Sequence, residues 1–552
     1  MKEHQAHQDE KEQDLFWADK LASAISERKK FHYLSKSFSK PKTFVVKTSA
    51  SISGVLHIGR LSDTIRSESV VRALQDRGEK AELIWVAEDM DPLRKVPKGI
   101  PPSYEKYLGM PVTDIPDPDG CHKSYAEHNT TKYFEVLDKF VGVKMKKYST
   151  REEYKKGSFT PYIKKLLASL SQLKEIQNKY RSSPLAKDWS PWQPICDKCG
   201  KIITPRILNF DGKKVEYECR DYDFETKTAH GCGHRGENDP MKGKGKLVWK
   251  SEWAAEWALW KVSSEGAGKE YQVPGSAWWV NTEICEHILD FPAPEPIFYE
   301  HIMIDGQKMS ASLGNVIYPA DWLRAAPPEL LRFFYNKRLM KTRSFSWRDM
   351  PLFYDDYDAH EKVFFGEKEL ENKKEEAHMK RLFELSQLSK SRRHQKLPFA
   401  FAALVVQTYD PEKDAKRALK IFESTGHLQK VNAEDKKYLK QLLIYAKNWL
   451  DFMPEMKLEI AEKVSPEIKR EFSAQEKKAI SSLASFLQKT KELDGEKLQT
   501  EIYGTAKACG VHPKRLFELL YRIIINKTHG PKLGPFIVAL GSERVAKLLA
   551  QV

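Results

Sequence analysis

Apolar residues recur at helical spacing from 14 to 39, through Phe16, Leu21 and Ile25, and predict a first helix there. The run TFVVKT over 43–48 is short, apolar and β-branched, as a buried strand is. A loop of small residues, SASISG, leads into a second helical pattern at Ile58, Leu61, Ile65, Val71 and Leu74, with Gly78 as its stop. ELIWVA over 82–87 predicts the next strand. Strand, loop, helix and strand in that order make the opening βαβ unit of a parallel, nucleotide-binding sheet.

From 92 to about 246 the period is lost among proline-rich loops, one helical stretch near 162–180 and a group of cysteines. A second αβ region covers 249–304 and ends in a strand predicted over 297–304. Beyond Pro319 amphipathic helices are predicted to Val552, beginning with PPELLRFFYNKRL, whose prolines suit a first helical turn. The Lys/Glu-rich stretch 367–380 reads as an exposed helix, and residues 1–13 as a charged, disordered segment.

Length changes the picture first: 552 residues exceed the ~250–300 that one core organises, so several domains are expected. Lys and Arg total 92 against 77 acidic residues, and the resulting +15 suits a polyanionic partner. No run approaches the ~20 apolar residues of a membrane span, and MKEHQAHQDEKEQD has no signal-sequence core. A cytoplasmic protein with no membrane partner is expected. Seven cysteines in so long a chain, an odd number, do not make a disulfide framework.

Two motifs carry chemistry. Ser53-Gly54-Val55-Leu56-His57-Ile58-Gly59-Arg60 falls at the turn from strand to helix. A helix N-terminus presents amide donors and a positive dipole end to phosphate, a histidine there can bond phosphoryl oxygens, and Gly59 leaves room for adenine. Lys308-Met309-Ser310-Ala311-Ser312 follows a predicted strand in a loop opened by Asp305-Gly306. Such a loop can close over a triphosphate and neutralise charge at the α-phosphate. The cysteines Cys196, Cys199, Cys219 and Cys232 form a third pattern, whose CxxCG half is the turn of a zinc knuckle. Its other half lacks a clean CxxC, which leaves His234 as an alternative ligand.

The two nucleotide motifs together resemble the HIGH and KMSKS signatures of class I aminoacyl-tRNA synthetases. EDMDPLRKVP over 88–97 is similar to the DDMDPLRKVP segment of the archaeal-type lysyl family in that class. Asp114-Ile115-Pro116-Asp117-Pro118 through Cys121 and Glu127-His128, Trp17-Ala18-Asp19, and GPKLGPF over 530–536 resemble further family segments, so the likeness runs from end to end. The resemblance implies an α/β fold: a Rossmann-like parallel-sheet catalytic domain with a zinc-bearing insertion, followed by all-α domains. In residue numbers this gives an N-terminal segment (1–40), catalytic halves (41–95 and 246–312) around the insertion (96–245), a helical linker (313–370) and an anticodon-binding domain (371–552).

It further implies that L-lysine is activated with ATP and Mg2+ and transferred to tRNA(Lys). His57 and Lys308 would be catalytic. Ser53, Gly54, His57, Gly59, Arg60, Lys308, Ser310 and Ser312 would bind ATP. Ser49, Asp63, Trp249, Tyr271 and Trp278 would bind the amino acid, with Asp63 for the ε-amine and tryptophans as walls. The basic runs at 390–394 and 413–420 would meet tRNA phosphates. The chain departs from the family at Arg60 (usually Asn), at Ala311, at Glu270-Tyr271 (Asp-His) and at Ala277-Trp278-Trp279 (Ser-Tyr-Asp). These departures keep two alternatives open: a glutamyl-type synthetase, and an RNA-binding paralogue without catalysis.

Overall fold

The computed structural model describes residues 15–52, 54–97, 99–187, 189–309, 315–413, 419, 422–423, 428–429, 431–490 and 493–552. The segment 1–13 and the loop residues Ser53, Ser310, Ala311 and Ser312 lie outside them. The chain divides into two compact units. One comprises Met1–Ala320, Leu331–Phe345 and Glu369–Lys390; the other comprises Asp321–Leu330, Ser346–Lys368 and Ser391–Val552.

The first unit is built on five parallel strands: β1 (Phe44–Ser51), β2 (Ala81–Glu88), β3 (Met145–Ser149), β4 (Val262–Gly268) and β5 (Glu295–Tyr299). Their order is β5-β4-β1-β2-β3. This is the doubly wound arrangement in which the chain reverses direction of build between β1 and β4, opening a crevice at the carboxyl ends of those strands. Alternate residues of a strand face opposite sides of the sheet. Thr48 accordingly meets α2 (Ile58–Asp76), while Lys47 meets α4 (Trp249–Leu259). An apolar cluster including Trp253, Trp257, Trp278 and Ile284 packs α4 against α5 (Ala277–His287).

Two predicted elements differ. The first helix, α1, covers only Trp17–Glu27, because Arg28 turns extended and donates to the carbonyl of Ala293 and to Glu286. The strand predicted over 297–304 is split. Its first part stays in the parallel sheet, and Ile302–Ile304 changes partners to pair with Gln307–Lys308 and Arg343–Phe345. Between β2 and β3 lies α3 (Tyr125–Leu137). Between β3 and α4 lie three short helices and a three-stranded antiparallel sheet, Pro205–Phe210, Val215–Cys219 and Arg235–Asn238.

The regular elements among the described residues of the second unit are all helices, including Met350–Phe364, Ala433–Phe452 and Ala474–Lys489, the last begun by a Ser473/Glu476 capping box. Trp347 stacks on Phe452 in this unit with ring centroids 4.5 Å apart. No described helix is long and apolar enough to cross a membrane.

Candidate active site

The crevice predicted by strand order is a cleft of about 640 Å³ lined from the carboxyl ends of β1, β2 and β4 and the start of α2. Of the sequence-predicted site residues it gathers Ser49, His57, Gly59, Arg60, Asp63, Trp249, Tyr271 and Lys308. The two nucleotide motifs, some 250 residues apart in sequence, therefore face one space. Gly54 sits in the loop ahead of α2, opposite Tyr125 and Pro97. Trp278 is wholly buried behind Trp253, at 5.2 Å between ring centroids, in the core and outside the cleft lining.

His57 is the N-cap of α2, and its Nδ1 accepts the amide of Gly59 at 3.1 Å. That bond fixes the neutral tautomer with hydrogen on Nε2, leaving a donor on the far side of the ring. Burial, and secondly the charge of Arg60, lowers its pKa to about 4. The helix start is less open than the sequence suggests: the amide of Ile58 is taken by Ile317 O at 2.9 Å. The cationic side chains that line this end of the cleft, beside His57, are Arg60, Arg94 and Lys308. A Cβ on Gly59 would lie 2.8 Å from the His57 ring and 2.9 Å from Met309 Cε, so a side chain there would push on both the turn and the loop.

On the α2 side, Asp63 is 7% exposed and accepts the hydroxyl of Thr48, while its Oδ1 has no hydrogen-bond partner. Burial raises its pKa despite that bond and the charges of Lys47 and Arg66. On the α4 side stands a network that the sequence did not foretell. Lys47, without any exposure, lies 2.8 Å from both Glu256 and Glu265 and 3.7 Å from Glu88. Glu265 also accepts the indole N–H of Trp253 at 2.9 Å and of Trp257 at 2.5 Å. Lys246 bridges Asp91 at 2.9 Å and Glu252 at 2.7 Å, and Tyr154 donates to Glu252 at 2.7 Å. Trp249 stacks on Trp253 at 4.6 Å, with Tyr271 edge-on to Trp253 at 5.3 Å. The lysine interrupting the apolar run of β1 was the one visible signal, but its two nearest partners, Glu256 and Glu265, lie more than 200 residues away in sequence.

Outside the cleft, Cys196, Cys199, Cys219 and Cys232 converge so that their sulfurs all lie within 4.8 Å of one another. Cys196 and Cys232 are 3.7 Å apart, Cys199 and Cys219 3.6 Å. His234 gives its backbone carbonyl to Cys219 and is not in the group. A second set, Asp117, Cys121, His122 and His128, converges equally well. Cys121 Sγ is 3.0 Å from His122 Nδ1 and 3.3 Å from His128 Nδ1, and the latter is 3.0 Å from Asp117. The motif around Cys121 was visible in the sequence, but without a CxxC spacing it carried no metal signal.

A family model described as tRNA synthetases class I (K) matches residues 15–389, and one described as an anticodon binding domain matches 413–552. The chain is 33% identical over 548 residues to a lysine–tRNA ligase of Methanocaldococcus jannaschii, covering 97% of this chain and 99% of that one. It is 30% identical over 546 residues to that of Methanosphaera stadtmanae, covering 96% and 98%. With that of Cenarchaeum symbiosum it shares 33% over 543 residues, covering 97% and 98%.

Proposed function

The chain belongs to the class I tRNA synthetases of the lysine type, and from that premise we propose that its cleft carries out both steps of lysine–tRNA ligation. In the first step the carboxylate of lysine attacks the α-phosphorus of ATP. The bond from that phosphorus to the bridging oxygen of the β-phosphate breaks, leaving lysyl-adenylate and pyrophosphate. Positioning and charge stabilisation do most of such work. His57 donates from Nε2 to a phosphoryl oxygen, and Arg60 and Lys308 offset the charge growing on the leaving group. Gly59 admits the adenine edge, and Ser53, Gly54, Ser310 and Ser312 complete the phosphate side by resemblance. Mg2+ carried with ATP would share the neutralisation of pyrophosphate. In the second step a ribose hydroxyl of the terminal adenosine of tRNA(Lys) attacks the adenylate carbonyl and AMP leaves.

On the amino-acid side Ser49, Asp63, Trp249 and Tyr271 line the space that the substrate fills, with Trp278 backing Trp253 from the core. The helical region matched at 413–552 serves the anticodon, and the cytosol is where such charging takes place. The observation that carries this reading is the meeting of His57, Arg60 and Lys308 in one cleft with buried carboxylates.

Both ligand clusters fit zinc. An ion bonded tetrahedrally at ~2.3 Å to sulfur sets sulfurs ~3.8 Å apart, and at ~2.0 Å to nitrogen or oxygen sets those ~3.3 Å apart. The closest sulfur pairs, at 3.6 and 3.7 Å, agree with that geometry, and the spacings around His128, 3.0 Å to Asp117 and 3.3 Å to Cys121, are a few tenths of an ångström shorter. Zinc held there would tie the insertion together, away from the chemistry.

ATP–pyrophosphate exchange with each of the twenty amino acids, with and without tRNA, tests the whole reading. Exchange with lysine supports it, and exchange with glutamate overturns the specificity. No exchange from folded protein that still binds tRNA makes the chain an RNA-binding paralogue.

A further inference from the structure

The peptide that joins Ile58 to Gly59 is held at both of its polar edges. At one edge its N–H, that of Gly59, donates to His57 Nδ1 at 3.1 Å. At the other its carbonyl, that of Ile58, accepts the hydroxyl of Tyr335 at 2.9 Å. A peptide unit is planar and stiff, so a group that fixes the oxygen also fixes where the N–H points. The ring of His57 is thus set in part by a side chain 277 residues beyond the carbonyl it holds.

Tyr335 is itself firmly placed. It has no solvent exposure, and Ile58 is 1% exposed. Arg66 of α2 grips it in return, donating from Nε to the Tyr335 carbonyl at 3.2 Å, with Nη1 on Ser62 Oγ at 3.2 Å. The guanidinium also lies over the rings of Tyr299 and Tyr335, at 4.6 and 5.7 Å from their centroids. Burial, above all, raises the pKa of the Tyr335 phenol far above its usual range, so the hydroxyl keeps its proton and remains a donor. The preceding peptide is held as well, since Ile58 N–H donates to Ile317 O. Two segments that follow the second nucleotide motif in sequence therefore fasten the start of the helix that carries the first.

Hydrogen bonds in series polarise one another: a carbonyl that accepts from a phenol makes the N–H of the same peptide a better donor. The bond from Gly59 to Nδ1 is strengthened, and with it the tautomer that carries hydrogen on Nε2. A transition-state donor is effective only while it is held in place. A buried tyrosine commonly finds some partner for its hydroxyl. Here the partner is the one peptide whose other edge bears the His57 ring.

We propose that Tyr335 is a positioning residue for adenylate formation, which holds His57 through the Ile58–Gly59 peptide with Nε2–H presented to the phosphate. This rests on the reading of the cleft as a lysine-activating, ATP-dependent site. Tyr335 lies in the core behind the turn and outside the cleft lining, so it acts on the rate of the step more than on the binding of either substrate.

The test is a double-mutant cycle on single-turnover adenylate formation, with wild type, Tyr335→Phe, His57→Ala and the pair. Tyr335→Phe keeps the ring beneath Arg66 and removes only the hydroxyl. It is expected to slow adenylate formation roughly tenfold, with KM for ATP and for lysine within about twofold of wild type. In the His57→Ala background the same change should cost little more, because no ring is left to orient. Equal losses in both backgrounds would mean that the hydroxyl serves the fold and not His57, and would overturn the proposal. So would a Tyr335→Phe enzyme as fast as wild type. The ring nitrogens of His57 give a reading that needs no change at Tyr335. In wild type with isotopically labelled histidine, the resonances that vanish in His57→Ala should show a bare Nδ1 and a protonated Nε2. Hydrogen on Nδ1 would overturn the proposal even if Tyr335→Phe failed to fold. Failure of wild type to activate lysine would instead sink the reading of the cleft on which the proposal rests.

Discussion

Glu68 and Arg332, 264 residues apart, form an ion pair with no solvent exposure on either side chain. Arg332 also donates to the carbonyls of Phe140 at 2.7 Å, Leu385 at 2.9 Å and Ser386 at 2.9 Å, while Glu68 accepts the amide of Gly142 at 3.0 Å. One guanidinium thereby ties α2 to Leu331–Phe345 and Glu369–Lys390, segments of the same unit that are distant in sequence. Arg332→Met leaves a buried carboxylate unpaired and should cost about 3–5 kcal/mol. Calorimetry should show it as a lowered Tm of the first unit. Adding Glu68→Leu should restore only part, because three carbonyls still lack their donor. Full recovery in the double variant would mean that the carbonyl contacts contribute little.

The neutral state of His57 has a kinetic consequence. With its pKa near 4, the ring stays uncharged across the pH range of an ordinary assay, and no proton is gained as pH falls through about 6.5. The rate of adenylate formation should therefore show no limb near 6.5 that belongs to this residue. His57→Ala should lower that rate by roughly 10²–10³-fold through loss of one donor to the transition state, with tRNA affinity nearly unchanged. Single-turnover rates over pH 5.5–8.5 decide it. An inflection near 6.5 that vanishes in His57→Ala would show that the imidazolium is the working form.

What the sequence revealed and what it concealed follow from range. The β1–α2–β2 unit, the turn at His57 and the start of the helix after Pro327 rest on local periodicity, and the structure has them within a few residues of expectation. Strand 297–304 was misjudged as one piece because an apolar run does not say which sheet each half joins. The first helix stops at Glu27 for a partner, Ala293 O, that no local pattern names. In the site, the anion-binding groups come from two contiguous motifs and were legible. The Lys47, Glu88, Glu256 and Glu265 network depends on register between β1 and β4 and on the face that α4 presents, and so was not.

Gly266 in β4 is needed for space. A Cβ there would lie 1.7 Å from Asp63 Oδ1, so any side chain displaces that carboxylate or parts the strand from α2. Gly266→Ala should raise KM for the amino acid at least tenfold, while KM for ATP, set around His57 and Lys308, changes little. Thermal melting of the same variant separates the two routes. A large fall in Tm with both KM values raised would mean that the strand, and not Asp63, gives way.

The two convergent ligand sets make the metal content countable. If each of them holds zinc, elemental analysis should find about two ions per chain. Cys199→Ser should remove one, His128→Ala should remove the other, and each variant should keep the ion of the other site, since the two sets share no residue. The cysteine site joins segments 20 and 36 residues apart and holds the turn at Cys196–Cys199 against the strand ending at Cys219. Its loss should therefore expose the insertion to protease before the parallel sheet unfolds. A single ion per chain, abolished by Cys199→Ser and untouched by His128→Ala, would leave the Asp117–His128 group a hydrogen-bonded polar cluster and nothing more.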